Sequence, residues 1–314
     1  MLKKTRISYS VSLILSILFA IAAAALRIYL LFSEYDSALG HFASDSVMNT
    51  AFGVLIITSA VFFITPCIFI MKEKELRTVY TDLPTVFSSA FLSAVLVLFS
   101  VFVLIETFQT GKTGAAFVFS FISAIFSLLS VPYYILRICN ANIKSETYSV
   151  LSFFPVLLGC ALAFSFYFDN TMYMNSPIQI LHQISAIFIT FFALGECRIT
   201  LNRVLWGLYT FVGLNAFILT LADSLPLIIY IPKAEAVTFG SIVSYFLIFA
   251  FSLYIISRIF SIYSLNSKNA QSLISFFKKS YETKKEEEAA SQPEAEQLHI
   301  DIDGNENNAQ ADQK

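Results

Sequence analysis

The stretch HQISAIFITFFALGECRITLNR, residues 182–203, decides the fold class, because it is apolar enough to cross a bilayer yet carries ionisable groups near both ends. On a helix, residues spaced by four, four, three and four share one face, and here these are His182, Ala186, Thr190, Ala193 and Cys197. Glu196 falls about 40° from that line at about 100° per residue. Because an ionisable group inside a membrane is costly unless it faces protein or water, we predict that this face points into a helix bundle.

The overall composition argues against a soluble domain. The chain has 314 residues, of which 57% are apolar and 13% are charged, whereas soluble domains have about 25% charged residues. The charge is also segregated, since residues 265–314 hold sixteen of the forty-two Asp, Glu, Lys and Arg residues. The net charge of −2 therefore averages two unlike parts and indicates no nucleic-acid partner.

Eight apolar segments each approach the length of about 20 residues that crosses a bilayer. They predict an all-α polytopic membrane helix bundle over residues 1–264. The first runs from Ile7 to about Phe32 after three basic residues, a pattern that also fits a cleaved signal peptide, with cleavage near the alanines at 22–25. The others are approximately 48–71, 86–108, 115–136, 149–168, 177–196, 204–230 and 237–260.

Two of these segments carry small residues along one face, the pattern by which membrane helices approach closely. In the first segment they are Ser12, Ser16, Ala20 and Ala24, and in the fourth Ala116, Ser120, Ser123, Ser127, Ser130 and Tyr134. We expect the serines to pack helices together and bond backbone carbonyls; a lining for a water path is the alternative.

The distribution of basic residues predicts the orientation. With the N-terminus inside, seventeen of the twenty Lys and Arg residues fall on the cytoplasmic side, as the positive-inside rule requires. Both termini are then cytoplasmic in a multi-pass cell-membrane protein. Residues 265–285 mix apolar and basic positions, which predicts an amphipathic interfacial helix. Residues 286–314 are rich in Glu, Gln, Asn and Asp, which predicts a disordered acidic tail.

The sequence lacks the usual signatures of a membrane enzyme. It has no His-Glu-x-x-His motif and no glycine-rich phosphate loop. The sequence has three histidines, His41, His182 and His299, which provide few ligands for a metal centre. The four cysteines lie in or at the inner ends of apolar segments, so no extracellular disulfide is expected. We therefore expect a protein that is not an enzyme and holds no cofactor or metal.

Four ionisable residues define a predicted binding pocket in the outer half of the bundle. Arg27, His182 and Asp223 lie five to seven residues inside the predicted outer helix ends, which places them about 8–10 Å deep; Glu106 is shallower. The sixth and seventh spans should be antiparallel neighbours, so we expect a contact between His182 and Asp223. There are alternatives to a pocket. Arg27 could extend to the lipid headgroups or form a structural salt bridge with Asp223, and His182 could be a packing residue without a role in binding.

A second polar group is expected at the inner interface. Glu196 stands beside Arg198 and Arg203 near the end of the sixth span. This arrangement predicts an anchoring ion pair between Glu196 and Arg198 at the inner face of the membrane.

Two short stretches carry a family resemblance. The turn Tyr35–Phe42, read as YDSALGHF, and the GECR ending of the sixth span at Gly195–Arg198 resemble multi-pass membrane proteins of Gram-positive gut bacteria with no assigned activity. The resemblance implies a bacterial cytoplasmic membrane location. The leading hypothesis is a small transporter or permease-like component that contacts the lipid bilayer, a small-molecule or ion substrate and a membrane-protein partner. The alternative is a receptor or scaffold that signals through its cytoplasmic tail.

Overall fold

The computed structural model describes residues 3–36, 39–42, 46–71, 83–109, 113–139, 146–169, 176–201, 203–233 and 238–265. The predicted amphipathic helix over 265–285 and the tail over 286–314 lie outside these residues, apart from Leu265. Contacts divide the chain into the units Met1–Ser264 and Leu265–Lys314, and the first is the one described below. In the described ranges the helices are α1 Lys3–Ser33, α2 Val47–Met71, α3 Leu83–Gln109, α4 Gly114–Ile138, α5 Glu146–Leu151, α6 Phe153–Tyr167, α7 Pro177–Thr200, α8 Trp206–Tyr230 and α9 Phe239–Leu265.

The prediction of eight spans in an all-α bundle is confirmed. Eight segments are long and apolar enough to cross a membrane, and one of them combines the short α5 with α6 over Glu146–Tyr167. The chain is therefore a multi-pass integral membrane protein. A two-stranded hairpin, β1 Tyr35–Asp36 and β2 His41–Phe42, connects α1 to α2, and the short 3-10 helix Ile231–Lys233 follows α8.

The burial pattern of α1 shows how a span separates its lipid-facing and protein-facing sides. Ile14, Leu18 and Ile21 are exposed, as expected for side chains that contact acyl chains. The small residues on the opposite face are buried, which confirms their packing role: Ser12, Ser16, Ala20 and Ala24. Because lipid tails are as apolar as leucine, close packing of small residues associates the helices here.

Helix α4 packs through its predicted serine face. Ser120, Ser123, Ser127 and Ser130 are all buried. The Ser127 hydroxyl donates to the Leu96 carbonyl of α3 at 2.7 Å, whereas the hydroxyls of Ser123 and Ser130 bond carbonyls of α4 itself. These bonds match the expected packing role of the face.

The only interrupted span in the described residues is the fifth, where Ser152 separates α5 from α6. Pro155 has no N–H to donate to Leu151, so the helical hydrogen-bond ladder is weakened at this point. The Ser152 hydroxyl bonds the Ser149 carbonyl at 2.6 Å and meets the Thr200 hydroxyl at 3.1 Å, which satisfies polar groups at the break. Pro66, Pro132 and Pro226 lie inside helices that continue past them.

Helix α9 lies against the inner faces of several other helices. The Tyr9 hydroxyl of α1 donates to the Ile259 carbonyl at 3.1 Å, and the Ser88 hydroxyl of α3 meets that of Ser257 at 2.6 Å. The Tyr254 ring packs edge-on against Tyr134 of α4. Polar side chains of α9 are therefore directed into the bundle.

Candidate functional site

The start of α7 fixes the position of His182. The Ser176 hydroxyl accepts a hydrogen bond from the Gln179 N–H at 3.1 Å, and Pro177 occupies the first helical turn, a combination that favours helix initiation. The Gln179 side-chain amide donates to the carbonyls of Phe166 and Tyr167 at the end of α6. His182 follows less than one turn later, with its side chain directed into the bundle.

His182 and Asp223 form a fully buried contact between α7 and α8, as the sequence predicted. His182 Nδ1 lies 2.7 Å from Asp223 Oδ1, and the two side chains are 0% and 1% exposed. The imidazole also packs against the rings of Phe166 and Tyr245, at centroid distances of 5.1 and 5.5 Å. A short contact in an apolar surrounding holds the imidazole in one orientation.

Arg27 reaches the same region from α1 but does not form the salt bridge with Asp223 that we considered. No ion pair within 4.0 Å joins the two in the described part of the chain, although the charges interact at longer range. The guanidinium lies over the rings of Phe42 and Phe52, at 4.8 and 5.5 Å from their centroids. Arg27 is 2% exposed, so it does not extend to the headgroups either.

The hairpin places Phe42 over Arg27. Gly40 has a φ of 69° and its N–H bonds the Asp36 carbonyl at 2.8 Å, closing the turn between β1 and β2. Positive φ values are accessible to glycine at little cost. The aromatic cover over the guanidinium therefore depends on this turn, which sequence spacing could not relate to Arg27.

Several buried polar atoms around this contact have no hydrogen-bond partner among the residues that the structure describes. They include His182 Nε2, Asp223 Oδ2 and the Ser185 hydroxyl, together with Nε and Nη2 of Arg27. Buried polar groups are almost always paired, and each unpaired one costs about 1–3 kcal/mol. We define Arg27, His182, Ser185 and Asp223 as the His182 site. It offers donors and acceptors to a polar species within an apolar bundle.

Glu106 lies outside the His182 site, although the sequence grouped it with Arg27, His182 and Asp223. Its carboxylate accepts a hydrogen bond from the Thr238 hydroxyl at 3.0 Å. It lines a separate cavity of about 30 Å³ together with Asp169 and Ser120. Phe166 lines this cavity and also packs against His182, whereas neither His182 nor Asp223 lines it.

At the other end of α7, Glu196 is the centre of a buried ionic cluster. Its carboxylate lies 2.7 Å from Arg137 Nη2 and 3.1 Å from Arg258 Nε, and all three side chains are at most 7% exposed. The hydroxyls of three tyrosines also donate to the carboxylate: Tyr133, Tyr209 and Tyr254. The Glu196 cluster, defined by these six residues, joins α4, α7, α8 and α9.

The predicted ion pair between Glu196 and Arg198 is therefore wrong. Two residues along an α-helix correspond to about 200°, so the two side chains point to nearly opposite sides. Arg198 is exposed on the lipid-facing side, whereas Glu196 is directed inward. Arg203 is also exposed. The carboxylate is neutralised by arginines from other helices.

The sequence itself carries a signal for the Glu196 cluster. Tyr133 and Arg137 are four residues apart, and so are Tyr254 and Arg258, so each pair lies on one helix face. In both pairs the tyrosine and arginine converge on Glu196.

The two polar groups lie far apart along α7. Fourteen residues separate His182 from Glu196, which corresponds to about 21 Å of helix. Apolar side chains such as Ile189 and Phe192 are buried between them. Each group therefore has its own electrostatic environment.

Among the described residues, no group of three or more His, Cys, Asp and Glu side chains could hold a metal ion. Comparisons of the chain with protein-family models, curated proteins and solved structures returned no match.

Proposed function

We propose that this chain is a small, non-enzymatic membrane transporter, or a permease-like component, that handles a small polar molecule or an ion at the His182 site. The observation that carries the proposal is the fully buried contact between His182 and Asp223, whose remaining polar atoms, Nε2 and Oδ2, have no hydrogen-bond partner among the described residues. Ionisable residues within membrane spans are rare, and they commonly mark substrate or ion pathways.

The chemistry of the site suits a species that carries or exchanges a proton. Histidine changes its charge near neutral pH, and the bond made by one ring nitrogen sets the role of the other. With Nδ1 held by Asp223, Nε2 accepts a hydrogen bond when the ring is neutral and donates one when it is protonated. Arg27 supplies a fixed positive charge nearby. Protonation of His182 therefore changes both the charge of the site and its hydrogen-bond pattern.

The proposal is tested by reconstituting the full chain in proteoliposomes and recording currents on a supported membrane. Rapid jumps of pH, monovalent cations, amino acids, small carboxylates and sugars are applied in turn. One class should give a current. Asp223→Asn should reduce it about tenfold or more, as expected from losing a hydrogen bond to a charged group.

The matched control is Ser224→Ala, because Ser224 is buried on α8 next to Asp223 and its hydroxyl donates to the Thr220 carbonyl of the same helix. It should leave the current unchanged. Absence of both current and solute uptake for every class, with folded protein in the vesicles, contradicts a transport role. A ligand that raises the unfolding temperature without any flux would instead support the receptor or scaffold alternative.

A further inference from the structure

A lipid-facing groove between α7 and α8 forms a second candidate binding site at the end of the bundle opposite the His182 site. Its volume is about 310 Å³, which lies at the lower end of the range of about 300–1,000 Å³ typical of small-molecule pockets. The walls are apolar and aromatic, and Arg198 is the only charged residue among the described ones that line it. We define this feature as the Arg198 groove.

We propose that the Arg198 groove binds one anionic phospholipid, with an acyl chain along the groove and the phosphate at Arg198. This site is independent of the transport proposal, because it shares no residue with the His182 site.

The dimensions of the groove match one acyl chain. It extends along α7 from Phe188 to Arg198, and ten residues of helix span about 15 Å. That length is half of the hydrocarbon core, which is about 30 Å thick, so the groove covers a single leaflet.

Packing between α7 and α8 gives the groove its floor. A Cβ atom on Gly195 would lie 2.8 Å from Cδ2 of the Tyr209 ring, so the absence of a side chain lets the ring lie against α7. The Tyr209 hydroxyl is held by Glu196. The floor is therefore fixed from inside the bundle by the Glu196 cluster.

Charge at the mouth of the groove favours an anion. The Arg198 side chain is exposed, and its guanidinium forms no hydrogen bond or ion pair with another described residue. Arg203 is exposed in the same turn, and its N–H bonds the Arg198 carbonyl at 2.9 Å. The described residues that line the groove include no carboxylate, and the nearby Glu196 carboxylate is bound to Arg137 and Arg258.

The start of α8 also favours an anion at the mouth of the groove. Leu205, which lines the groove, is the N-cap of α8 and provides no side-chain hydrogen bond. The first N–H groups of a helix lack intrahelical partners and carry partial positive charge. A phosphate at this level therefore meets a guanidinium together with a positive helix end.

The test uses the purified full chain, stripped of lipid in detergent and analysed by native mass spectrometry. Phosphatidylglycerol and phosphatidylcholine with identical acyl chains are added separately. Phosphatidylglycerol should be retained preferentially. Arg198→Gln should lower its retention about fivefold, the effect of one basic side chain on an anionic lipid surface, and leave phosphatidylcholine unchanged.

Two further variants separate the parts of the site. Leu194→Trp, at an exposed lining position, fills the groove and should lower retention of both lipids. Lys233→Gln removes an exposed positive charge after the opposite end of α8 and should change neither. Equal retention of the two lipids, an unaffected Arg198→Gln variant, or occupation by soluble glycerol phosphate or a second copy of the chain would each overturn the proposal.

Discussion

Replacing Glu196 with glutamine removes the only carboxylate of the Glu196 cluster. Five donors converge on its two oxygens, from Arg137 and Arg258 and from Tyr133, Tyr209 and Tyr254. A glutamine side chain has one carbonyl oxygen to accept these bonds, and its amide N–H groups would face other donors. Two buried guanidinium groups would lose their counter-charge. Breaking a buried ion pair costs about 3–5 kcal/mol, and we expect a loss in this range.

The measurement is equilibrium unfolding in mixed detergent micelles, carried out as a double-mutant cycle. Arg258→Gln alone should also destabilise, whereas the double variant with Glu196→Gln should lose clearly less than the sum of the two. Arg198→Gln is the matched control, because Arg198 is exposed and such changes usually stay within about 0.5 kcal/mol. A loss below about 1 kcal/mol for Glu196→Gln, or strict additivity in the cycle, would refute the reasoning.

Three further outcomes are expected from other parts of the bundle. His182→Gln and Asp223→Asn should each destabilise by about 1–3 kcal/mol and be non-additive in detergent unfolding, since each leaves the other unpaired; additive losses would contradict the contact. Gly159→Ala, whose Cβ would lie 3.0 Å from a backbone atom of α7, should destabilise by about 1–3 kcal/mol; its control Gly53→Ala, with open space around it, should stabilise a helix by about 0.5–1 kcal/mol. Cys139, exposed at the end of α4 and kept as the only cysteine, should react with an impermeant maleimide only after permeabilisation; labelling of intact cells would reverse the predicted orientation.

Local properties of the sequence determined the number of spans and the inward face of α7. The number of spans depends on the length and hydropathy of each segment, and both are properties of the sequence alone. The inward face follows from helical spacing and from the cost of placing His182 or Glu196 against lipid. Both residues are buried in the structure, so these predictions needed no knowledge of the neighbouring helices.

The pairing of His182 with Asp223 could be predicted from the sequence. Few residues separate α7 from α8, so the two helices are antiparallel neighbours, and residues at a similar depth on each lie side by side. The position of Arg27 was only partly predictable. The sequence grouped it with His182 and Asp223, and Arg27 is buried, but its aromatic surroundings come from the hairpin and from α2. Those contacts depend on a turn whose direction is set by backbone conformation.

Only the tertiary structure decided which arginines neutralise Glu196. Arg198 does not pair with Glu196, because side chains two residues apart on a helix point in nearly opposite directions. Arg137 and Arg258 instead reach the carboxylate from α4 and α9. Spacing within a helix specifies a face, but it does not specify which other helix will lie against that face. In a bilayer this choice depends on close packing and on satisfying buried polar groups, because lipid and protein interior are similarly apolar.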